Sequence, residues 1–374
     1  MKKFFTTFTV IAASALMLVS CGTQPERANT PITDYLFGLE YDDYDFSAGV
    51  EALSKYKPAA AGCSEVRKGV FVGRNLDWYI NHDASAVIKV NASENRYASL
   101  GVIGCATQFN DEFARSGEYG EIYRILPMFT VDGVNEKGLY AGVNVMPTGE
   151  TSLNPEHWNT GAWGLGAAFT NPESDKSYCV TYLVRVILDN AASVAEAKEL
   201  IKSINWFEPA GFPHDGQTQA FHWLISDTES SMVVEFLDNV PCFTETASVT
   251  DPSYATIMTN FTNKLMADKQ MMQDGAQGYE RYDVIKANYD ATPATSEGMQ
   301  DLMKKVWFTL SYTKDIKDPG FFHTDYANNT AIKASEVYNN PDVLKNEAFV
   351  KDVEKGKADF ANKSLWHKKD CSLW

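Results

Sequence analysis

Cys63 follows a glycine and opens the run Gly62-Cys63-Ser64-Glu65-Val66-Arg67-Lys68-Gly69-Val70-Phe71-Val72-Gly73-Arg74-Asn75-Leu76-Asp77. A thiol beside a glycyl carbonyl can attack that carbonyl. Once the Gly62–Cys63 bond is cut, the cysteine carries a free α-amine next to its own sulfur, and one residue supplies nucleophile and base together. The run reads as a hairpin whose second strand ends in Arg74 and Asp77, eleven and fourteen residues after the cysteine.

Other chemistries lack their residues. His82, His157, His214, His222, His323 and His367 fall at no HExxH or other ligand spacing, so no metal is expected, and His222 belongs to a strand. Gly161-Ala162-Trp163-Gly164-Leu165-Gly166 lacks a preceding strand and the spacing of a dinucleotide loop, and no GxSxG occurs. No cofactor is implied.

The elements that must hold Cys63 are legible as strand blocks around a helical block. Strands are expected over 69–74, 86–90, 129–134 and 139–145, the last two joined by Asn135-Glu136-Lys137-Gly138. A second hairpin pairs 221–226 with 232–236. Apolar spacing predicts a helix over 178–190, the capping box Ser193-Val194-Ala195-Glu196 opens another to about 204, and a third is expected over 297–308. Val70-Phe71-Val72 and Ile257-Met258 are apolar on both parities, as in strands covered on two faces. The pattern fits two stacked sheets between helical layers, an α+β fold in one domain.

Composition narrows the partners. Against 33 Lys plus Arg stand 49 Asp plus Glu, and a formal charge of −16 repels phosphate backbones and anionic lipids, which excludes nucleic acid as an expected partner. Met1-Lys2-Lys3, an apolar stretch from Phe4 and Leu18-Val19-Ser20-Cys21 read as an export signal, too short and too broken by threonine to span a bilayer. Its ending resembles the lipobox of bacterial lipoproteins, which would make Cys21 lipidated, with an ordinary signal peptide as the other reading. The expected organisation is a signal over 1–21, a tether and propeptide over 22–62 and a catalytic domain over 63–374. Cys105, Cys179, Cys242 and Cys371 form no framework, and no bridge is assigned.

Four blocks carry a family resemblance. Gly62-Cys63-Ser64 with Phe71-Val72-Gly73-Arg74-Asn75-Leu76-Asp77, Asp132-Gly133-Val134-Asn135 with Ala141-Gly142-Val143-Asn144, Phe221-His222-Trp223-Leu224-Ile225-Ser226-Asp227 with Val233-Val234-Glu235, and Ile257-Met258-Thr259-Asn260 resemble the choloylglycine hydrolase family. That family contains bile salt hydrolases and penicillin V acylases and belongs to the N-terminal nucleophile (Ntn) hydrolases. The resemblance spans about 62–282 and implies a four-layer αββα sandwich of two antiparallel sheets, autocatalytic exposure of Cys63 and hydrolysis of a linear amide. By position it implies a catalytic set of Cys63, Arg74, Asp77, Asn144 and Asn260, the last at the oxyanion, with Arg281 as a further arginine. An α-amine of pKa about 7.7–8.0 and a thiol of about 8.5 need only the field of Arg74 and Arg281 to yield thiolate near neutral pH. Asp77 would orient the amine while the arginines balance its charge.

The implied partner is a small amide, a conjugated bile salt or penicillin V, whose apolar acyl half would meet Trp78, Tyr79 and Trp163. Self-association into a homo-oligomer stays open. Two rivals remain: an acyltransferase of related architecture, and an exported solute-binding lipoprotein whose aromatics grip a ligand without chemistry.

Overall fold

Period-two alternation of apolar side chains sets the layers. The computed structural model describes residues 30–33, 36–47, 63–76, 85–104, 120–146, 169–207, 213–214, 217–218, 220–269 and 278–306. Their strands are β1 (Thr30–Thr33), β2 (Leu36–Tyr41), β3 (Cys63–Lys68), β4 (Phe71–Leu76), β5 (Ser85–Val90), β6 (Ser99–Gly104), β7 (Thr130–Asn135), β8 (Tyr140–Met146), β9 (Ser177–Cys179), β10 (Asn205–Phe207), β11 (Pro213–His214), β12 (Gln217–Thr218), β13 (Ala220–Ser226), β14 (Ser231–Leu237), β15 (Val240–Thr246) and β16 (Ile257–Met258). The α-helices are α1 (Leu183–Asn190), α2 (Val194–Lys202), α3 (Asn263–Ala267), α4 (Tyr279–Tyr289) and α5 (Ser296–Lys304).

Nine strands form one sheet in the order β1-β2-β5-β6-β7-β8-β13-β14-β15, and β16-β3-β4 form a second. On the outer face of the large sheet, Ala141, Trp223, Ile225, Met232, Val234 and Phe236 pack with Leu183, Ile187 and Leu188 of α1 and with Ala197 and Ile201 of α2. The alternate residues Tyr140, Leu224 and Val233 turn inward and meet Val72 of β4 and Met258 of β16. Val66 and Ile257, on the far face of the small sheet, pack against Ile285 and Tyr289 of α4 and Met299, Leu302 and Met303 of α5. The order is helix, sheet, sheet, helix, so the chain has the expected α+β, αββα architecture.

Turn chemistry fixes the registers. The β3–β4 hairpin pairs Lys68 with Phe71 across a two-residue turn, and Gly69 takes φ +59° there. Asn135 closes the β7–β8 turn by accepting from the N–H groups of Lys137 and Leu139, while its own amide donates to the carbonyls of Leu188 and Ala191 at the end of α1. Half of the capping box is formed: Glu196 N–H donates to Ser193 Oγ at 3.2 Å, while the Glu196 carboxylate reaches one residue past the cap to accept from Ala192 N–H at 2.9 Å.

One expectation needs correction, and two features go beyond what was expected. Residues 177–179 are extended, because Ser177–Cys179 pair in parallel with β10 and Tyr178 packs edge-on against Trp206; α1 begins only at Leu183. The hairpin β14–β15 was not expected, though Asp238 and Asn239 between apolar runs form its turn at φ 52° and 62°. Within the expected tether and propeptide, 22–62, β2 is a strand of the large sheet, in keeping with a segment that docks.

Candidate active site

Cys63 is the first residue of β3 and is wholly buried. Its backbone N–H donates to Asn260 Oδ1 at 3.0 Å, while Arg281 at the start of α4 donates to the Cys63 carbonyl and to Asn260 Oδ1. The same guanidinium donates to Ser64 Oγ at 3.0 Å, and Asn260 Nδ2 donates to the Val145 carbonyl at 2.6 Å. Cys63, Asn260 and Arg281 therefore meet around the Cys63 main chain, with Asn260 on its nitrogen and Arg281 on its carbonyl.

Arg74 occupies the same inner layer but in different company from that expected. It lies opposite Glu65 in the β3–β4 register, donates to Glu65 Oε1 at 2.6 Å and pairs with Asp132 Oδ2 at 3.0 Å. Its remaining bonds reach the carbonyls of Val131 and Val143. Burial alone would lower the guanidinium, but Glu65 and Asp132 hold it above its ordinary value, with a smaller attraction from Cys63. Burial pushes Glu65 up to about 7 against the pull of Arg74. Tyr140 donates to Glu65 Oε2 at 3.1 Å, and burial with the Glu65 charge keeps that hydroxyl protonated well above its usual range. Arg74 is thus a cation balanced by two carboxylates, not the bare field source that its place near the cysteine suggested. Gly142 makes room for this cluster: a Cβ there would lie 2.6 Å from Glu65 Oε2 and 2.9 Å from Arg74.

A polar row crosses the inner face of the large sheet. His222 is the register partner of Asn144 on one side and Glu235 on the other. Asn144 Nδ2 donates to the Thr259 carbonyl at 3.2 Å, and His222 Nε2 meets the same oxygen at 2.9 Å. That carbonyl only accepts, so Nε2 is the donor there, and His222 Nδ1 faces Glu235 Oε1 at 3.1 Å. The Glu235 carboxylate also accepts from Asn263 N–H at 2.6 Å and Lys264 N–H at 2.8 Å, the first donors of α3. Asn260 lies between these anchors. Asn144 therefore reaches the site through the backbone that carries Asn260, as a positioning residue.

Glu65, Asp132, His222 and Glu235 were not singled out as site residues. Their signal was polarity at inward positions of strands; each is buried, and burial demands a partner. Asp77, Gly62, Trp78, Tyr79, Trp163 and Cys21 lie outside the described residues.

Among solved structures, a mutant conjugated bile acid hydrolase from Clostridium perfringens is 17% identical, with 69% of this chain and 82% of that chain covered and a TM-score of 0.44. Penicillin V acylase from Agrobacterium tumefaciens is 15% identical over 69% and 74% of the two chains, with a TM-score of 0.39. No curated protein matches. The model of the linear amide C–N hydrolases, choloylglycine hydrolase family, matches residues 63–280. That match begins at the buried cysteine and covers more than half the sequence, and the chain belongs to the choloylglycine hydrolase family of linear amide C–N hydrolases.

Proposed function

We propose that Cys63 is the nucleophile of this amide hydrolase, unmasked when the enzyme cuts its own Gly62–Cys63 bond. The observation that carries the reading is the grip on the cysteine main chain, with the nitrogen on Asn260 Oδ1 at 3.0 Å and the carbonyl on Arg281. An amine formed there keeps one N–H on Asn260 and turns its lone pair toward its own thiol.

In maturation the sulfur adds to the Gly62 carbonyl carbon, the bond to the Cys63 nitrogen breaks, and that nitrogen takes the thiol proton. Water then cleaves the thioester, leaving a Gly62 carboxylate and a Cys63 amine and thiol. In turnover the amine accepts the thiol proton and the thiolate adds to the substrate carbonyl. Val145 takes one N–H of the Asn260 amide, and the second N–H with a backbone donor meets the oxyanion. The ammonium protonates the leaving nitrogen, and water, giving its proton to the amine, releases the acid.

Conjugated bile salts and penicillin V are the proposed substrates, with Trp78, Tyr79 and Trp163 on the acyl half and Asp77 orienting the amine. The chain is exported and lipidated at Cys21. Wild-type protein given a glycine-conjugated bile salt or penicillin V should release the free amine product, and Cys63→Ala should release none. Amine release by the variant would sink the reading, and acyl capture by added amines in place of water would identify an acyltransferase.

A further inference from the structure

We infer that the segment upstream of Gly62–Cys63 is a lasting subunit of the mature enzyme, held after the cut as the edge of the large sheet. The inference rests on the processing reading above. β2 is the only parallel neighbour in the described large sheet, paired with β5 from Leu36↔Ser85 to Tyr41↔Val90. Parallel strands need a crossover connection, here residues 42–84, which contains β3, β4 and the Gly62–Cys63 bond. Cutting that bond severs the crossover and leaves the ladder intact.

The grip extends beyond the ladder. Leu39 and Tyr41 are 3% and 2% exposed, and the Tyr41 ring stacks on Tyr123 with centroids 4.5 Å apart. Tyr123 Oη in turn donates to the Glu40 carbonyl at 3.1 Å. Past the strand, Tyr44 donates to Asp189 of α1 and lies beneath Arg96, which pairs with Asp43 at 3.1 Å. Asp45 N–H donates to the Arg124 carbonyl at 2.8 Å, and its carboxylate pairs with Arg124 at 3.0 Å. Phe46 packs edge-on against Tyr178, and both Tyr44 and Phe46 lie against the main core.

Removal would strip the buried Arg185–Asp189 pair of its tyrosine cover and bare the backbone edge of β5, a site of strand addition and aggregation. The upstream piece is therefore structural, and a lipid on its Cys21 would hold the catalytic piece at a membrane with no covalent link between the two.

The test is purified active protein run on a denaturing gel and, in parallel, by size exclusion with native mass spectrometry. Two denatured fragments that travel natively as one species with one copy of each, also in roughly 1 M salt, are expected. Two fragments of which the catalytic one elutes alone and active would overturn retention while sparing the processing reading. A single uncut band would overturn the processing reading and the two-chain enzyme with it. Tyr44→Phe with Phe46→Ala should raise the free upstream fragment at least tenfold at the same concentration, and unchanged release would overturn these contacts as the grip.

Discussion

Glu65 sets burial against charge. Its carboxyl is pushed up to about 7 although Arg74 touches it, because β3 and β4 place it in a layer without water. Between about pH 4.5 and 7 the folded protein keeps a proton that the unfolded chain has released, so stability falls as pH rises through that window and Glu65 adds no further slope above it. At about 1.36 kcal/mol per pH unit the loss is on the order of 3 kcal/mol. Glu65→Gln should flatten the decline in urea-unfolding free energy between those limits, and an unchanged slope would contradict the assignment. His222 tests the polar row. His222→Leu removes one buried partner of Glu235, leaving it the two N–H groups of α3, and should cost about 1–3 kcal/mol in thermal or chemical unfolding, whereas a loss under about 0.5 kcal/mol would mean that the row is not coupled. Cys63, Arg74 and Asn260 stand in short motifs that the sequence displays, and Arg281 in a weaker one; that Cys63, Asn260 and Arg281 are neighbours is what the fold adds. The roles of Glu65, His222 and Glu235 were not legible there, since each depends on a partner far away in the chain.

The elements repeat the lesson at larger size. Turns with local chemistry, such as Asn135 to Gly138 and the Ser193 cap, stood where their residues implied. The misread stretch was 178–179, whose apolar spacing suits a helix until β10 offers it a parallel partner and Trp206 an edge contact; Val180–Tyr182 already turn as a 3-10 helix into α1. No local rule announces that partner. Gly142 on β8 is an element whose backbone passes directly over the Glu65–Arg74 pair. Gly142→Ala should force the two apart, costing about 1–3 kcal/mol and lowering kcat more than KM, and a fully active, equally stable variant would show that the cluster does not need that closeness.

Across the whole molecule, the layer order was readable because inward and outward faces differ so plainly along β8, β13 and β14. The edge was not, because β2 precedes Cys63 in a segment whose residues suit a docking propeptide but do not name the strand it pairs with. Between the two sheets, Asn260 accepts from the one main-chain nitrogen that a cut at Gly62–Cys63 would set free, and Arg281 donates to Asn260 and to the Cys63 carbonyl. Intact mass measurement of purified, active protein, with sequencing of the amino terminus of the large fragment, addresses that directly. The account predicts a fragment whose first residue is Cys63 with an unblocked amine; full amide hydrolysis by a chain whose Gly62–Cys63 bond is unbroken would contradict it.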